Sequence, residues 1–223
     1  MQLTRERIIT AAMELIEREG PDAVSMRRIA THLGSEVMSL YDHVPSKAAV
    51  LDGVADFVMS GVDVLVDPGA GWEEQVRAQV RAFRQVALKY PRCVMVVVSR
   101  PVDTATTLRP VELALATLRG AGFEGEDAIR AVRTFVAYVI GSTLREFGVS
   151  PGLEPNRPLG YDPASLVADR PIHLDPAEFP QVMSLSAELL DRDFEADFEF
   201  GLDLLVRAVA DRRPVKNLNR RDA

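Results

Sequence analysis

Ser25–Lys47, SMRRIATHLGSEVMSLYDHVPSK, is the stretch on which the reading of the chain turns. Met26, Ile29, Ala30 and Leu33 recur at spacings of three and four, which puts them on one face of a short helix opened by the Ser25 hydroxyl. Gly34 ends that helix, because glycine enters the left-handed conformation at little cost. After the turn, Val37, Leu40 and Tyr41 repeat the helical spacing, with Ser35 placed to cap a second short helix. Two short helices about a glycine turn are the pattern of a helix-turn-helix, whose second helix enters the DNA major groove. They are also the pattern of an ordinary helical hairpin in an all-α domain. On the first alternative, Glu36, Val37, Met38 and Ser39 lie where base edges come within reach.

The flanks decide between the two. Upstream, Thr4 is a good N-cap, and Ile8, Ile9, Ala12, Leu15 and Ile16 form a stripe that can brace both short helices. Downstream, Leu40-Tyr41-Asp42-His43-Val44-Pro45-Ser46-Lys47 leads into an apolar-periodic helix. Here the chain resembles the TetR family of transcriptional regulators, whose signature is a leucine-tyrosine pair, a histidine two residues on and a lysine opening the next helix. In the carboxyl half, Trp72, Ser99-Arg100-Pro101, Gly122-Phe123 and Phe198-Glu199-Phe200-Gly201-Leu202 resemble a tetracycline-repressor-type ligand-binding domain.

The resemblance implies an all-α fold: a three-helix DNA-binding module over residues 1–47 and a helical ligand-binding and dimerisation domain over 48–211. It implies a homodimer whose partners are double-stranded operator DNA and a small-molecule effector, most simply a repressor released from a palindromic operator. It places Arg27 at a guanine and Tyr41, His43 and Lys47 at phosphates. Side-chain chemistry adds the rest: Val37 and Met38 can pack on thymine methyls, Ser39 can bond either way, and Glu36 can accept from cytosine N4. Because Val37 and Met38 stand where other members carry polar residues, family operator sequences do not transfer.

A formal net charge of −7 argues against binding nucleic acid through bulk electrostatics. Residues 1–47 do not reverse it, with six Lys/Arg against seven Asp/Glu. Placement therefore has to do what the sum does not: Glu14, Glu17 and Glu19 can face away from DNA, while Arg27, Arg28, His43 and Lys47 gather round the reading helix.

A helix from Ser46 to about Leu65, roughly 30 Å long, is expected to join the two parts. Asp67-Pro68-Gly69-Ala70-Gly71 breaks it, and further helices are expected over residues 72–89, 92–99, 104–119 and 126–147. Val94–Val98 is β-prone but flanked by helical patterns, so it reads as buried helix. Residues 151–180 form a proline-rich loop, where His173 with Asp175 and Glu178 is too small a ligand set for a metal site. Helices resume over residues 181–190 and 193–211, and residues 212–223 read as a basic tail. The 126–147 and 193–211 helices carry apolar residues beyond one face and so need more than one partner: a four-helix subunit interface, as the resemblance implies, or a larger monomeric core, with Gly141-Ser142-Thr143 allowing close helix approach in either case.

Enzymatic chemistry is not apparent. The three histidines are scattered, and there is no nucleophile elbow, phosphate-cradling loop or convincing metal-ligand set, so neither an enzyme nor a cofactor is expected. An α-helical enzyme and a helical adaptor without DNA binding are the rival readings. No membrane span or signal peptide is read, and the lone cysteine, Cys93, fits a reducing cytoplasm. Near a helix start, its thiolate could be favoured. Candidate effector contacts are Phe83, Tyr90, Met95, Thr117, Phe135 and Tyr138. Measured against the tetracycline-binding branch, Val96 replaces a metal-linking histidine and Arg145 a carboxylate, so a magnesium–tetracycline complex is not implied.

Overall fold

The Thr4 hydroxyl accepts from Arg7 N and opens α1 (Arg5–Glu19). Ser25 does the same for α2 (Met26–Leu33) through Arg28 N, and Ser46 for α4 (Lys47–Ser60) through Ala49 N. Each such cap stabilises its helix by about 1 kcal/mol. Gly34 closes α2 at φ +63°, a conformation that strains any residue with a side chain. The next helix, α3 (Val37–Tyr41), differs from expectation: Glu36, not Ser35, occupies the N-cap position, and no side chain caps it. Five residues cannot hold a helix alone. Leu40, fully buried, and Val44 just beyond it anchor the turn to the core instead.

The computed structural model describes residues 2–65, 69–147, 175–190 and 193–213. His173, most of the proline-rich stretch and the tail beyond Arg213 lie outside them. The remaining helices are α5 (Trp72–Lys89), α6 (Cys93–Ser99), α7 (Ala105–Gly120), α8 (Gly125–Phe147), α9 (Pro180–Ser184), α10 (Ser186–Leu190) and α11 (Phe194–Ala210). Among the described residues there is no strand, and Val94–Val98 is helical. No described helix is long and apolar enough to cross a membrane.

Two cores form. Ile8, Leu15 and Ile16 of α1, Ile29 of α2, Leu40 of α3 and Val50, Val54 and Val58 of α4 build the first. Cys93 and Val96 of α6 join them. Val76 and Val80 of α5, Leu118 of α7, Phe135 and Val139 of α8, and Phe198 and Leu202 of α11 build the second. Val94 turns into this second core, so the seven residues of α6 serve both.

The connecting helix α4 is shorter than the sequence suggests. It has 14 residues, or about 21 Å, and ends at Ser60 with Gly61 behind it. Glycine is a poor helix former and Val62 and Val64 prefer extended backbone, so the chain leaves the helix there. It is also not alone in linking the two parts. Glu17 of α1 accepts from the backbone amides of Arg92 and Cys93, at 3.2 and 2.7 Å, and thereby caps α6.

Helix α11 lies along α5 through three ion pairs in antiparallel order. Arg77 meets Asp203 at 2.9 Å, Arg81 meets Glu199 through two bonds of 2.8 and 2.7 Å, and Arg84 meets Glu195 at 3.1 Å. Arg84, only 3% exposed, also reaches Glu146 of α8 and stacks 4.2 Å above the Phe198 ring. The buried line on α11 runs Phe198, Leu202, Val206, in steps of four. Val206 therefore belongs to the core. Close contact between α8 and α11 depends on Gly201, where a Cβ would stand 2.2 Å from the Tyr138 hydroxyl. Gly141 meets nothing within 4 Å and plays no such part within the chain.

Candidate functional site

At the amino-terminal end, α2 and α3 present their outer faces side by side. Arg27, Glu36, Tyr41, His43 and Lys47 are exposed, and Met38 is 73% exposed. Ser39 is half-buried, and Val37 packs partly against the first core. Six of the eight sequence-assigned residues are therefore exposed, while Ser39 and Val37 give up part of their surface to the fold.

Three of the four acidic residues of α1 are bonded within the chain. Glu14 lies 2.7 Å from His32 Nε2, Glu17 caps α6, and Glu19 bonds both Arg28 and Arg18. Hydrogen bonds from Arg28 and then Arg18 hold the Glu19 carboxyl below the ordinary carboxylate range. Arg28 is thus drawn toward α1 rather than left for DNA. Arg27 has no ion pair among the described residues, and Lys47 sits at the first position of α4 beside the Ser46 cap. These two cations are what the reading surface offers to an acceptor-rich partner.

The second feature is a cavity in the carboxyl half. Val76, Gln79, Val80 and Phe83 of α5 face Pro110, Val111, Ala114 and Leu118 of α7 across it. Val132, Phe135, Val136 and Val139 of α8 form a further wall, and Met59, Val62 and Val64 close the side toward α4. The cavity is partly open to solvent, with about 670 Å³ of empty space when its mouth is included, and every lining side chain but Gln79 is apolar. The Gln79 amide is oriented: its Nε2 donates to Thr117 Oγ1 at 2.7 Å, and that hydroxyl donates in turn to Leu113 O at 3.0 Å. The Gln79 carbonyl is left as the polar atom available to a ligand.

Of the sequence candidates for effector contact, Phe83 and Phe135 line this cavity. Thr117 stands one step behind it, through Gln79. Tyr90 does not reach it: its ring packs edge-on against Phe57, 6.0 Å between centroids, beside the first core. Tyr138 points the other way, stacked on Phe198 and donating to Phe198 O at 2.7 Å. Met95, on α6, is not among the lining residues. An aromatic on a helix goes where the helix turns it, and residue type does not reveal that turn.

Val96 is buried in the first core, away from the cavity, and Arg145 pairs with Asp197. No cluster of three His, Cys, Asp or Glu suited to a metal occurs among the described residues. Cys93 is fully buried, and burial beside Glu17 pushes its thiol well above the ordinary range, so the favoured thiolate expected near a helix start does not form. Sequence reasoning missed Gln79 and the α5–α11 ion pairs. The signal for the latter was present, since Arg77, Arg81 and Arg84 recur at helical spacing and so do Glu195, Glu199 and Asp203.

Comparison with known proteins bears on both features. Residues 8–54 match the model of bacterial regulatory proteins of the tetR family, and residues 66–212 that of the tetracyclin repressor-like C-terminal domain. The HTH-type transcriptional repressor DrrR1 of Streptomyces coeruleorubidus is 30% identical over 209 residues, covering 92% of this chain and 76% of its own. An HTH-type transcriptional regulator of Saccharopolyspora erythraea is 35% identical over 144 residues, 65% of this chain, which spans 61% of that relative's length. The solved structure of the TetR family protein ActR of Streptomyces coelicolor in complex with actinorhodin superimposes with a TM-score of 0.75 at 26% identity, over 96% of this chain and all of that one. With an exposed helix-turn-helix at one end and an apolar cavity in the other half, the chain belongs to the TetR family of bacterial transcriptional regulators.

Proposed function

We propose that the protein is a cytoplasmic homodimeric repressor that leaves a palindromic operator when a largely hydrophobic small molecule fills the cavity. Arg27 is assigned to a guanine edge, where its fork can bond O6 and N7 together. Glu36, Val37, Met38 and Ser39 read neighbouring bases, and Tyr41, His43 and Lys47 hold phosphates. Phe83 and Phe135 hold the apolar body of the effector, and the Gln79 carbonyl receives a hydroxyl or N–H from it. DrrR1 is named as a repressor and ActR was crystallised with actinorhodin, which supports both halves of this reading.

The outer faces of α8 and α11 supply the dimer surface. Phe200 is 69% exposed and Leu204 50%, beside Ala137 and Gly141 of α8, an apolar display that a second copy would cover. In a two-fold dimer the reading helices must lie about 34–36 Å apart to enter successive major grooves.

One observation carries the coupling. Helix α4 puts Val50, Val54 and Val58 into the core beneath the reading helices and Met59 into the cavity wall. A ligand that displaces Met59 displaces the floor of the DNA-binding module. By reciprocity, operator DNA must weaken effector binding by the same factor as effector weakens operator binding. A thermal-shift screen identifies a ligand, because a compound at about 100 times its Kd raises stability by about 2.7 kcal/mol. Its affinity is then measured with and without upstream DNA, and equal values would refute the mechanism.

A further inference from the structure

The cavity itself holds no charge, but the space next to it does. Met59, Val62, Val64 and Pro110 line both the cavity and an outer cleft between the end of α4 and the start of α7. Arg109 and Asp63 line that cleft, and both are exposed. Neither has an ion-pair partner among the described residues. Arg77, Arg81, Arg84, Arg100, Arg130, Arg145 and Arg207 each face a carboxylate, whereas Arg109, like Arg119 and Arg133, is left for a partner from outside, and it alone of these three lines the cleft beside the cavity.

The surroundings of Arg109 favour an anion. Ala105 and Thr106, which line the cleft, lie in the first turn of the 16-residue α7. Amides of a first turn have no carbonyl partner within the helix and carry the positive end of its dipole. The opposing negative end of α4 is already covered. The Ser60 hydroxyl bonds Phe57 O, Gly61 N bonds Val58 O, and Val62 N bonds Met59 O. Among the described residues the carboxylates that oppose an anion there are Asp63, in the cleft lining, and Asp56, which accepts from the Thr104 hydroxyl at the α7 N-cap at 2.6 Å.

We propose that the effector is an amphipathic acid, its apolar body in the cavity and its carboxylate or sulfonate in the outer cleft against Arg109. The proposal rests on the cavity being the effector site and adds the chemical class of the ligand. An ionised group inside the cavity would lose its hydration with nothing to replace it, so the charge must stay at the edge. A planar guanidinium matches a carboxylate or sulfonate with two parallel bonds.

Two fluorescent probes test this on the full-length protein: anilinonaphthalene sulfonate and the uncharged phenylnaphthylamine, which share a ring skeleton. Arg109→Gln is expected to weaken the sulfonate about two- to fivefold, the range of an exposed ion pair, and to leave the neutral probe unchanged. Asp63→Asn should strengthen the sulfonate alone. The neutral probe should displace the sulfonate, and Ala114→Phe, which fills the cavity, should weaken both while circular dichroism stays native. The proposal is overturned if Arg109→Gln leaves the ratio of the two dissociation constants unaltered, or if the probes do not compete. If the neutral probe does not bind at all, the cavity reading falls too. If it binds normally but the ratio is flat, only the acidic group is wrong.

Discussion

Glu17 Oε1 lies 2.7 Å from the amide of Cys93, a bond that ties the DNA-binding module to the first turn of α6 across 76 positions of chain. The amide of Arg92 donates to the same carboxylate, and the Arg92 guanidinium returns a bond of 2.7 Å to Arg18 O. Because α6 serves both cores, this is a second mechanical link besides α4. Glu17→Ala removes a helix cap and should cost about 0.5–2 kcal/mol in chemical denaturation. It should also reduce the effect of ligand on operator affinity more than it reduces either affinity alone. Unchanged linkage in Glu17→Ala would leave α4 as the sole connection.

Arg27 and Lys47 should separate base reading from phosphate binding. Arg27→Ala is expected to cost about 1–3 kcal/mol on the operator and to relax preference at one base pair. Lys47→Ala should weaken specific and random DNA alike and lower the salt slope by about one. Mobility shifts on both kinds of DNA over a range of salt check the pair. A uniform loss from Arg27→Ala would reassign it to phosphate.

Gly201 and Gly141 should behave oppositely. A Cβ at Gly201 would be 2.2 Å from the Tyr138 hydroxyl, so alanine there must expel the ring and break its bond to Phe198 O. A loss of about 1–3 kcal/mol is expected, the usual cost of overpacking. At Gly141 an added Cβ meets nothing within 4 Å, so alanine should spare the folded chain. If the α8–α11 face joins two copies, Gly141→Leu should instead weaken the dimer in sedimentation while the thermal unfolding of the monomer is unmoved.

The Arg81–Glu199 pair predicts a dependence on pH. Its hydrogen bonds to Arg81 hold the Glu199 carboxyl below its ordinary value of 4.5. A carboxyl depressed in the folded chain adds stability that is complete above the unfolded value and is lost as pH falls through the folded one. Wild type should therefore be more stable than Arg81→Gln at pH 7, by a modest margin because both side chains are partly in water. The gap should narrow as pH falls below 4.5 and close once pH is below the depressed folded value, where Glu199 is protonated in both states. Urea denaturation across that range decides it, and a gap that persists at low pH would assign the effect to packing.

Much of the fold could be read along the chain because short-range signals were strong. Thr4, Ser25 and Ser46 announced their helices by hydroxyl, and Gly34 announced the turn by its missing Cβ. The end of α4 was harder, since Val62 and Val64 continue an apolar pattern and only their partners across the cavity show that they have left the helix. Tyr90 and Tyr138 show the same limit at the site: spacing places them on helices, but which wall they face depends on how those helices pack. Gln79 was invisible for a related reason. Its importance comes from being the one polar side chain in an apolar wall, and that contrast exists only once the wall is assembled.

Helix α5 carries two neighbouring stripes with different duties. Val76, Gln79, Val80 and Phe83 look into the cavity, while Arg77, Arg81 and Arg84 hold α11 in place. A lineage can therefore exchange residues on the first stripe and acquire a taste for a new compound without disturbing the second, on which the scaffold stands. Such a division lets chemical preference drift quickly through descent while architecture stays put, and it locates in a single helix the freedom by which one regulator can give rise to another with a different signal.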